Sequence, residues 1–147
     1  EVIQDYKTAV KWYLMAAEQG NISAQFNLGV MYEDGKGVIQ DYKTAVKWYR
    51  LAAERGDVMS QFKLGKMYEL GKGIVKDNTQ AHMWFNISAS NGHKDAAIGR
   101  QSIEKRMKSK DLHNAQKLAR DCVKHSIYKR HKVCGVKNNF LRDSSHK

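Results

Sequence analysis

The chain is predicted to be all-α: a solenoid of antiparallel helix pairs, closed at its C-terminal end by a capping helix pair. Three observations carry that prediction. Residues 2–13 recur unchanged as residues 38–49, an offset of 36, and residues 1–36 match 37–72 at 25 of 36 positions. Apolar residues in both copies fall at helical rather than strand spacing. Glycines recur at fixed places where helices are expected to stop, while proline is absent. A fixed period of about 20–50 residues marks an array in which each unit buries its apolar face against the next.

The elements follow in order. A first helix is expected over residues 5–19 with Asp5 as its cap, because Ala9, Trp12, Tyr13, Ala16 and Ala17 stand at i, i+3, i+4, i+7 and i+8 and Gly20 follows. A second starts at Asn21, carries Ala24, Leu28, Met31 and Tyr32 on one stripe, and ends at Gly35, where glycine takes a left-handed cap. The same pair recurs from Asp41 to Gly56 and from Asp57 to Gly71, with Ser60, Leu64, Met67 and Tyr68 on the stripe. Gly29 and Gly65 lie inside the stripe-bearing helices, where glycine costs about 0.5–1 kcal/mol relative to alanine. A repeated cost implies a repeated reason, namely a close helix contact that admits no side chain. A looser third copy places Asp77, Ala81, Trp84, Phe85, Ala89 and Gly92 at the same offset. Trp12, Trp48 and Trp84 then form a ladder, one rung per repeat, on the stripe of buried alanines, and are expected in the core.

Beyond residue 98 the pattern changes. Leu112, Ala115, Leu118, Ala119, Cys122 and Val123 give a helical stripe with Ser109 as its cap, and Ile103 with Met107 extends the preceding helix. These helices are expected to close the apolar end of the last repeat, as the ends of a solenoid require. Residues 1–98 are assigned to the repeats: about 1–20 as the second helix of a truncated unit, then 21–56 and 57–92. Residues 93–134 are assigned to the cap, and 135–147 to a basic tail expected to be disordered. The array is expected to begin in mid-unit, as a fragment of a longer one.

The pattern Ala24-x3-Leu28-Gly29-x2-Tyr32-x2-Gly35-x-Gly37-Val38-x2-Asp41-x2-Thr44-Ala45-x2-Trp48-Tyr49-x2-Ala52-Ala53-x2-Gly56 resembles the Sel1-like repeat, a relative of the tetratricopeptide repeat. The resemblance covers roughly residues 1–98 and, in weaker form, extends to about Cys134. It implies a right-handed superhelix whose first helices line a concave surface, a bacterial source, and a scaffold or adaptor that binds a protein or peptide without catalysis or cofactor. Such proteins act in the envelope, in signalling or against host proteins, so the resemblance leaves periplasmic, secreted and cytoplasmic locations open.

Comparison of the two near-identical copies points to a site. Their stripe-bearing helices differ at Ser23/Met59, Asn27/Lys63, Val30/Lys66 and Asp34/Leu70, spaced i, i+4, i+7 and i+11. Those positions share one helix face, opposite Leu28 and Tyr32. Asn27, Val30, Asp34, Lys63, Lys66 and Leu70 are therefore the candidate protein-binding residues, weighed against drift on an exposed face.

The net charge of +11 admits an anionic partner as the alternative. Residues 1–98 hold 12 Lys+Arg and 11 Asp+Glu, against 14 and 4 in residues 99–147, so the excess belongs to the cap and tail. Lys117, Arg120, Lys124, Tyr128, Lys129, Arg130, His131 and Lys132 could track phosphates or a lipid surface. No nucleic-acid motif accompanies them, and nucleic acid is disfavoured. Cys122-x2-His125-x5-His131-x2-Cys134 has zinc-competent ligands at an unusual spacing, so metal is not expected. A Cys122–Cys134 disulfide and two reduced thiols both stay open. Ser60-Gln61-Phe62-Lys63 fits the S-x-x-K pattern of acyl-serine enzymes, but Ser60 fills the slot of Ala24, and no catalytic residue is assigned.

Overall fold

The computed structural model describes the backbone from Val2 to Lys129 and side chains over residues 5–122. Among these residues there are seven helices and no strand: α1 (Val2–Glu18), α2 (Ile22–Asp34), α3 (Tyr42–Glu54), α4 (Val58–Leu70), α5 (Asn78–Ser90), α6 (Lys94–Glu104) and α7 (Ser109–Lys129). Each packs against the next from α1 to α6, and α7 folds back onto α5. The all-α solenoid read from the sequence is the architecture observed. No helix of the described residues is long and apolar enough to cross a membrane.

Local chemistry sets the boundaries. The side chains of Asn21 and Asp57 accept the N–H of Ala24 and Ser60, each at 2.8 Å, which satisfies a donor the helix cannot use. Asp41 and Asp77 cap α3 and α5 in the same way. Gly35 and Gly71 adopt φ of +68° and +67°, and their N–H groups return to Met31 and Met67 carbonyls. The cap expected at Asp5 is not observed: α1 starts at Val2, so Asp5 lies inside its first turn. The reason is tertiary. Before Asp41 the chain is held extended, because the Asp41 N–H donates to the Tyr32 carbonyl (2.9 Å) and the Gln40 amide to Glu33 (2.7 Å). No described helix offers such acceptors ahead of Asp5, and the helix simply continues. Ser109 is likewise the first residue of α7 rather than its cap, and Met107 lies in the α6–α7 connection.

The interior forms two clusters. One joins Ala17 of α1, Ala24 and Leu28 of α2, and Trp48 of α3; the larger runs from Ala45 and Tyr49 through Leu64, Met67, Trp84 and Phe85 to Ile103, Ala119 and Cys122. Gly29 and Gly65 mark the tightest crossings. A Cβ on Gly29 would sit 2.4 Å from the Tyr49 ring, and one on Gly65 would sit 2.7 Å from Phe85. The repeated glycine thus has the reason anticipated for it. The tryptophan ladder holds for two rungs: Trp48 and Trp84 are buried, whereas Trp12 is 67% exposed. Trp48 is covered by α1 and α2, and no described element stands in that position toward Trp12.

In the cap, α6 and α7 contribute buried Ala96, Ile103, Ala115, Ala119 and Cys122. The fully buried His82 of α5 tethers α6, its Nε2 lying 2.8 Å from Glu104 Oε1. Arg100 adds a second tie, donating to Asn86 Oδ1 at 2.7 Å. Cys134, His125, His131 and the basic tail lie outside the residues whose side chains are described, as does the pairing of Cys122 with Cys134. Among the described residues no His/Cys/Asp/Glu cluster could hold a metal.

Candidate functional site

Four of the differing pairs share one face of α2 and α4, while Leu14/Arg50, Met15/Leu51 and Gln19/Arg55 differ along α1 and α3 and just past their ends. Of the ten differing pairs with described side chains, only Ala24/Ser60 is buried in both copies; every other pair has solvent access. Besides the four pairs on the shared face, Asn21/Asp57, Ile22/Val58 and Ala24/Ser60 also differ in these helices. Ser60 is fully buried, as expected for a residue that fills an alanine slot.

The candidate residues occupy different environments on this face. Asn27 is half-buried and donates from Nδ2 to the Ser23 carbonyl at 2.9 Å. Val30 leans against the core. Asp34 is exposed and pairs with Lys36 at 3.2 Å, a contact of little energetic weight in solvent. Leu70 is 52% exposed, so an apolar side chain stands in water where the previous repeat carries Asp34.

Lys63 and Lys66 are part of a network that the pairwise comparison passed over. Lys63 Nζ lies 3.1 Å from Glu33 Oε2, a contact from α4 back to α2 across the repeat boundary. The same Glu33 oxygen accepts the Tyr49 hydroxyl at 2.5 Å. Burial, and then the hydrogen bond to Glu33, hold the Tyr49 hydroxyl well above its ordinary pKa, so it stays a donor. One repeat on, Glu69 accepts from Lys66 at 2.9 Å and from Arg106 at 2.7 Å. Burial acts to raise the Glu69 pKa, but the two cationic donors outweigh it and hold the carboxyl below its ordinary value. Glu33 and Glu69 were missed because identical residues drop out of a search for differences, and Arg106 because it lies outside the two copies compared. The available signal was a fixed carboxylate three residues after each varied Val30/Lys66 position.

This surface thus presents a row of half-satisfied charges and one exposed leucine on a rigid backbone. Such a face suits extended contacts with another polypeptide. It shows no nucleophile, base and orienting group in hydrogen-bond reach of one another, the arrangement that acid–base or covalent catalysis uses. The alternative site is seen only in part: Lys117 and Arg120 are exposed on α7, and the rest of that basic run lies outside the described side chains.

The Sel1 repeat model matches residues 1–21, 22–57 and 58–93. A structure of a protective antigen present in uropathogenic Escherichia coli strains, displaying an SLR fold, is 38% identical; the match covers 78% of this chain and 25% of that one, with a TM-score of 0.76. A Sel1 repeat protein from Oxalobacter formigenes is 39% identical over 63% of this chain and 70% of that one, with a TM-score of 0.62. The chain therefore spans a quarter of the length of the first of these proteins. No curated protein matches it.

Proposed function

The chain belongs to the Sel1 repeat family, whose repeats commonly mediate protein interactions, and from that premise we propose that it is a non-enzymatic scaffold that binds a protein or peptide through the concave face of its repeats. The observation that supports this reading is the location of change between two copies that are otherwise nearly identical. Buried positions are held except for Ala24/Ser60, and the accessible face of α2 and α4 is rewritten from Asn27, Val30 and Asp34 to Lys63, Lys66 and Leu70. The second helices supply the spine, with α3 and α5 held by Tyr49 and Phe85 against Gly29 and Gly65. The first helices present side chains whose spacing along the array is fixed by that spine, so little ordering entropy is lost when a partner docks.

A photo-crosslinking residue placed at Leu70, with a control at exposed Ser90 of α5, tests the reading. A partner captured only from Leu70 should bind more weakly to Lys63→Ala and Leu70→Asp, with the helical content unchanged. Equal capture from Ser90, or binding indifferent to both substitutions, rejects the concave face. The stapling of the cap by a Cys122–Cys134 disulfide is proposed separately. Denaturing mass spectrometry before and after reduction decides it by the presence or absence of a two-hydrogen difference.

A further inference from the structure

A cleft of about 310 Å³ opens away from the candidate face, where the ends of α1 and α3 meet the start of α2. Its walls include Ala17, Trp48 and Leu51, with Gln25 beneath and Glu18, Glu54, Lys47 and Arg55 at the rim. That volume is at the small end of the ~300–1,000 Å³ span of ligand sites, sized for one side chain rather than for a cofactor.

Gln25 gives the cleft its chemistry. The residue is only 4% exposed, and its Nε2 donates to the Ala17 carbonyl at 3.2 Å. That bond fixes the amide orientation, since a flipped amide would set oxygen against a carbonyl oxygen. Oε1 is left buried with no hydrogen-bond partner. The next repeat shows what such an oxygen requires. Gln61 donates to Ala53 in the same way, but its Oε1 accepts from Asn91 Nδ2 at 3.3 Å. The position of Asn91 is held in the earlier repeat by Arg55, whose guanidinium is turned to the Gly20 carbonyl instead.

The rim carries two carboxylates and two cations that do not pair with one another. Both of its cations are engaged, Arg55 with Gly20 and Lys47 over the Trp48 ring at 5.4 Å from the centroid. Neither Glu18 nor Glu54 has a hydrogen bond or ion pair among the described residues. A buried amide oxygen and two carboxylates therefore share a cleft with an apolar wall, and neither rim cation is bonded to any of them. A group that meets all of these is a cationic fork on an aliphatic stem, and a guanidinium supplies five donors in that form. We infer that this cleft is a second binding site, which takes the arginine side chain of a partner protein.

The test uses the whole chain and N-acetyl-arginine amide at millimolar concentration, read from the NMR signals of the Gln25 amide and the Trp48 indole N–H. Both signals should shift saturably, and N-acetyl-citrulline amide, neutral but nearly isosteric, should bind roughly tenfold more weakly. Glu54→Gln should weaken the arginine probe about fivefold, and added salt should weaken it further. Arg55→Asn provides the sharpest arm. Removal of a positive charge should favour a cation, whereas an asparagine placed as Asn91 is would satisfy Gln25 from within. Weaker binding by a variant that melts no lower than the parent supports the inference. Stronger binding by it, comparable binding of citrulline, or no shift at Gln25 and Trp48 overturns it. Lys63→Ala and Leu70→Asp should leave this site unaffected, so its failure is separable from failure of the concave face.

Discussion

Glu33 and Glu69 occupy one slot in successive repeats, yet they are held by different chemistry. Glu33 takes the Tyr49 hydroxyl and Lys63, both from elements that follow it. Opposite Glu69 the aromatic slot holds Phe85, which has no hydroxyl, and the carboxylate turns to Lys66 on its own helix and Arg106 beyond α6. The ring packing barely changes: Phe26–Tyr49 and Phe62–Phe85 centroids are 6.0 and 5.8 Å apart, at 41° and 38°. The backbone and its apolar contacts repeat, therefore, while the polar links across the repeat boundary are rewired by single atoms. A scaffold whose geometry does not depend on those links leaves its accessible face free to vary.

The most damaging way to break the comparison is at the part the repeats share. Gly29→Ala should drive a methyl into the Tyr49 ring, where Cβ would lie 2.4, 2.5 and 3.0 Å from three ring atoms. Overpacking of this kind costs about 1–3 kcal/mol, more than the ~1 kcal/mol that alanine gains in helix propensity. Gly65→Ala should cost less, because its nearest ring atoms are at 2.7 and 2.8 Å. Urea melts of the two variants check both the sign and the order. If they cost the same, the small difference between the crossings has no energetic meaning.

Tyr49→Phe makes the first boundary resemble the second and should cost about 1.5 kcal/mol, the low end for a hydrogen bond to a charged group, since Glu33 keeps Lys63. The same hydroxyl sets an alkaline limit. Its folded pKa is raised, so its contribution is complete below the unfolded value near 10 and is lost as pH rises beyond it, because the unfolded chain releases a proton that the folded one retains. The parent should lose stability above about pH 10 more steeply than Tyr49→Phe in parallel melts.

These contrasts also show which features of the chain could be read from sequence. The period, the caps at Asn21, Asp57, Asp41 and Asp77 and the intrahelical glycines were legible because each is a local or repeated signal. Asp5 and Trp12 carry the same local sequence as Asp41 and Trp48 but differ in state, because a neighbouring helix pair, not the motif, makes the cap and buries the ring. The face bearing Lys63 and Lys66 was legible from its spacing. The carboxylates that hold them were not, since Lys63–Glu33 and Arg106–Glu69 join residues 30 and 37 positions apart. Nor could sequence reveal that Gln25 and Gln61, identical in setting, differ in whether the amide oxygen is satisfied.

Two aspartates of the repeated motif, Asp77 and Asp5, sharpen this point at smaller scale. Asp77→Ala should cost about 1 kcal/mol by leaving the Gln80 N–H, now 3.0 Å from Oδ1, without its cap. Asp5→Ala should cost only about 0.3 kcal/mol, because Asp5 lies inside the first turn of α1, where it meets the helix dipole rather than serving as the N-cap. A loss at Asp5 equal to that at Asp77 would mean that α1 starts where the motif, rather than the structure, places it.

A loss smaller than that at Asp77 should come from Glu69, whose partners Lys66 and Arg106 are themselves 41% and 47% exposed and whose ion pairs are screened accordingly. Its sign is still determined. The folded carboxyl lies below its ordinary value, so the contribution is present above the unfolded pKa near 4.3 and is lost as pH falls through the folded one. Glu69→Gln should therefore be slightly less stable than the parent at neutral pH and should converge on it in acid, with the gap narrowing below about pH 4.3. Added salt at neutral pH should narrow the same gap, since it screens the pairs directly. A gap that persists in both acid and salt would assign Glu69 a packing role in place of an electrostatic one. The packing of Phe85 on Gly65 and the hydrogen bonds of Ser88 to Val58 and of Asn91 to Gln61 would then carry that contact without an electrostatic share from Glu69.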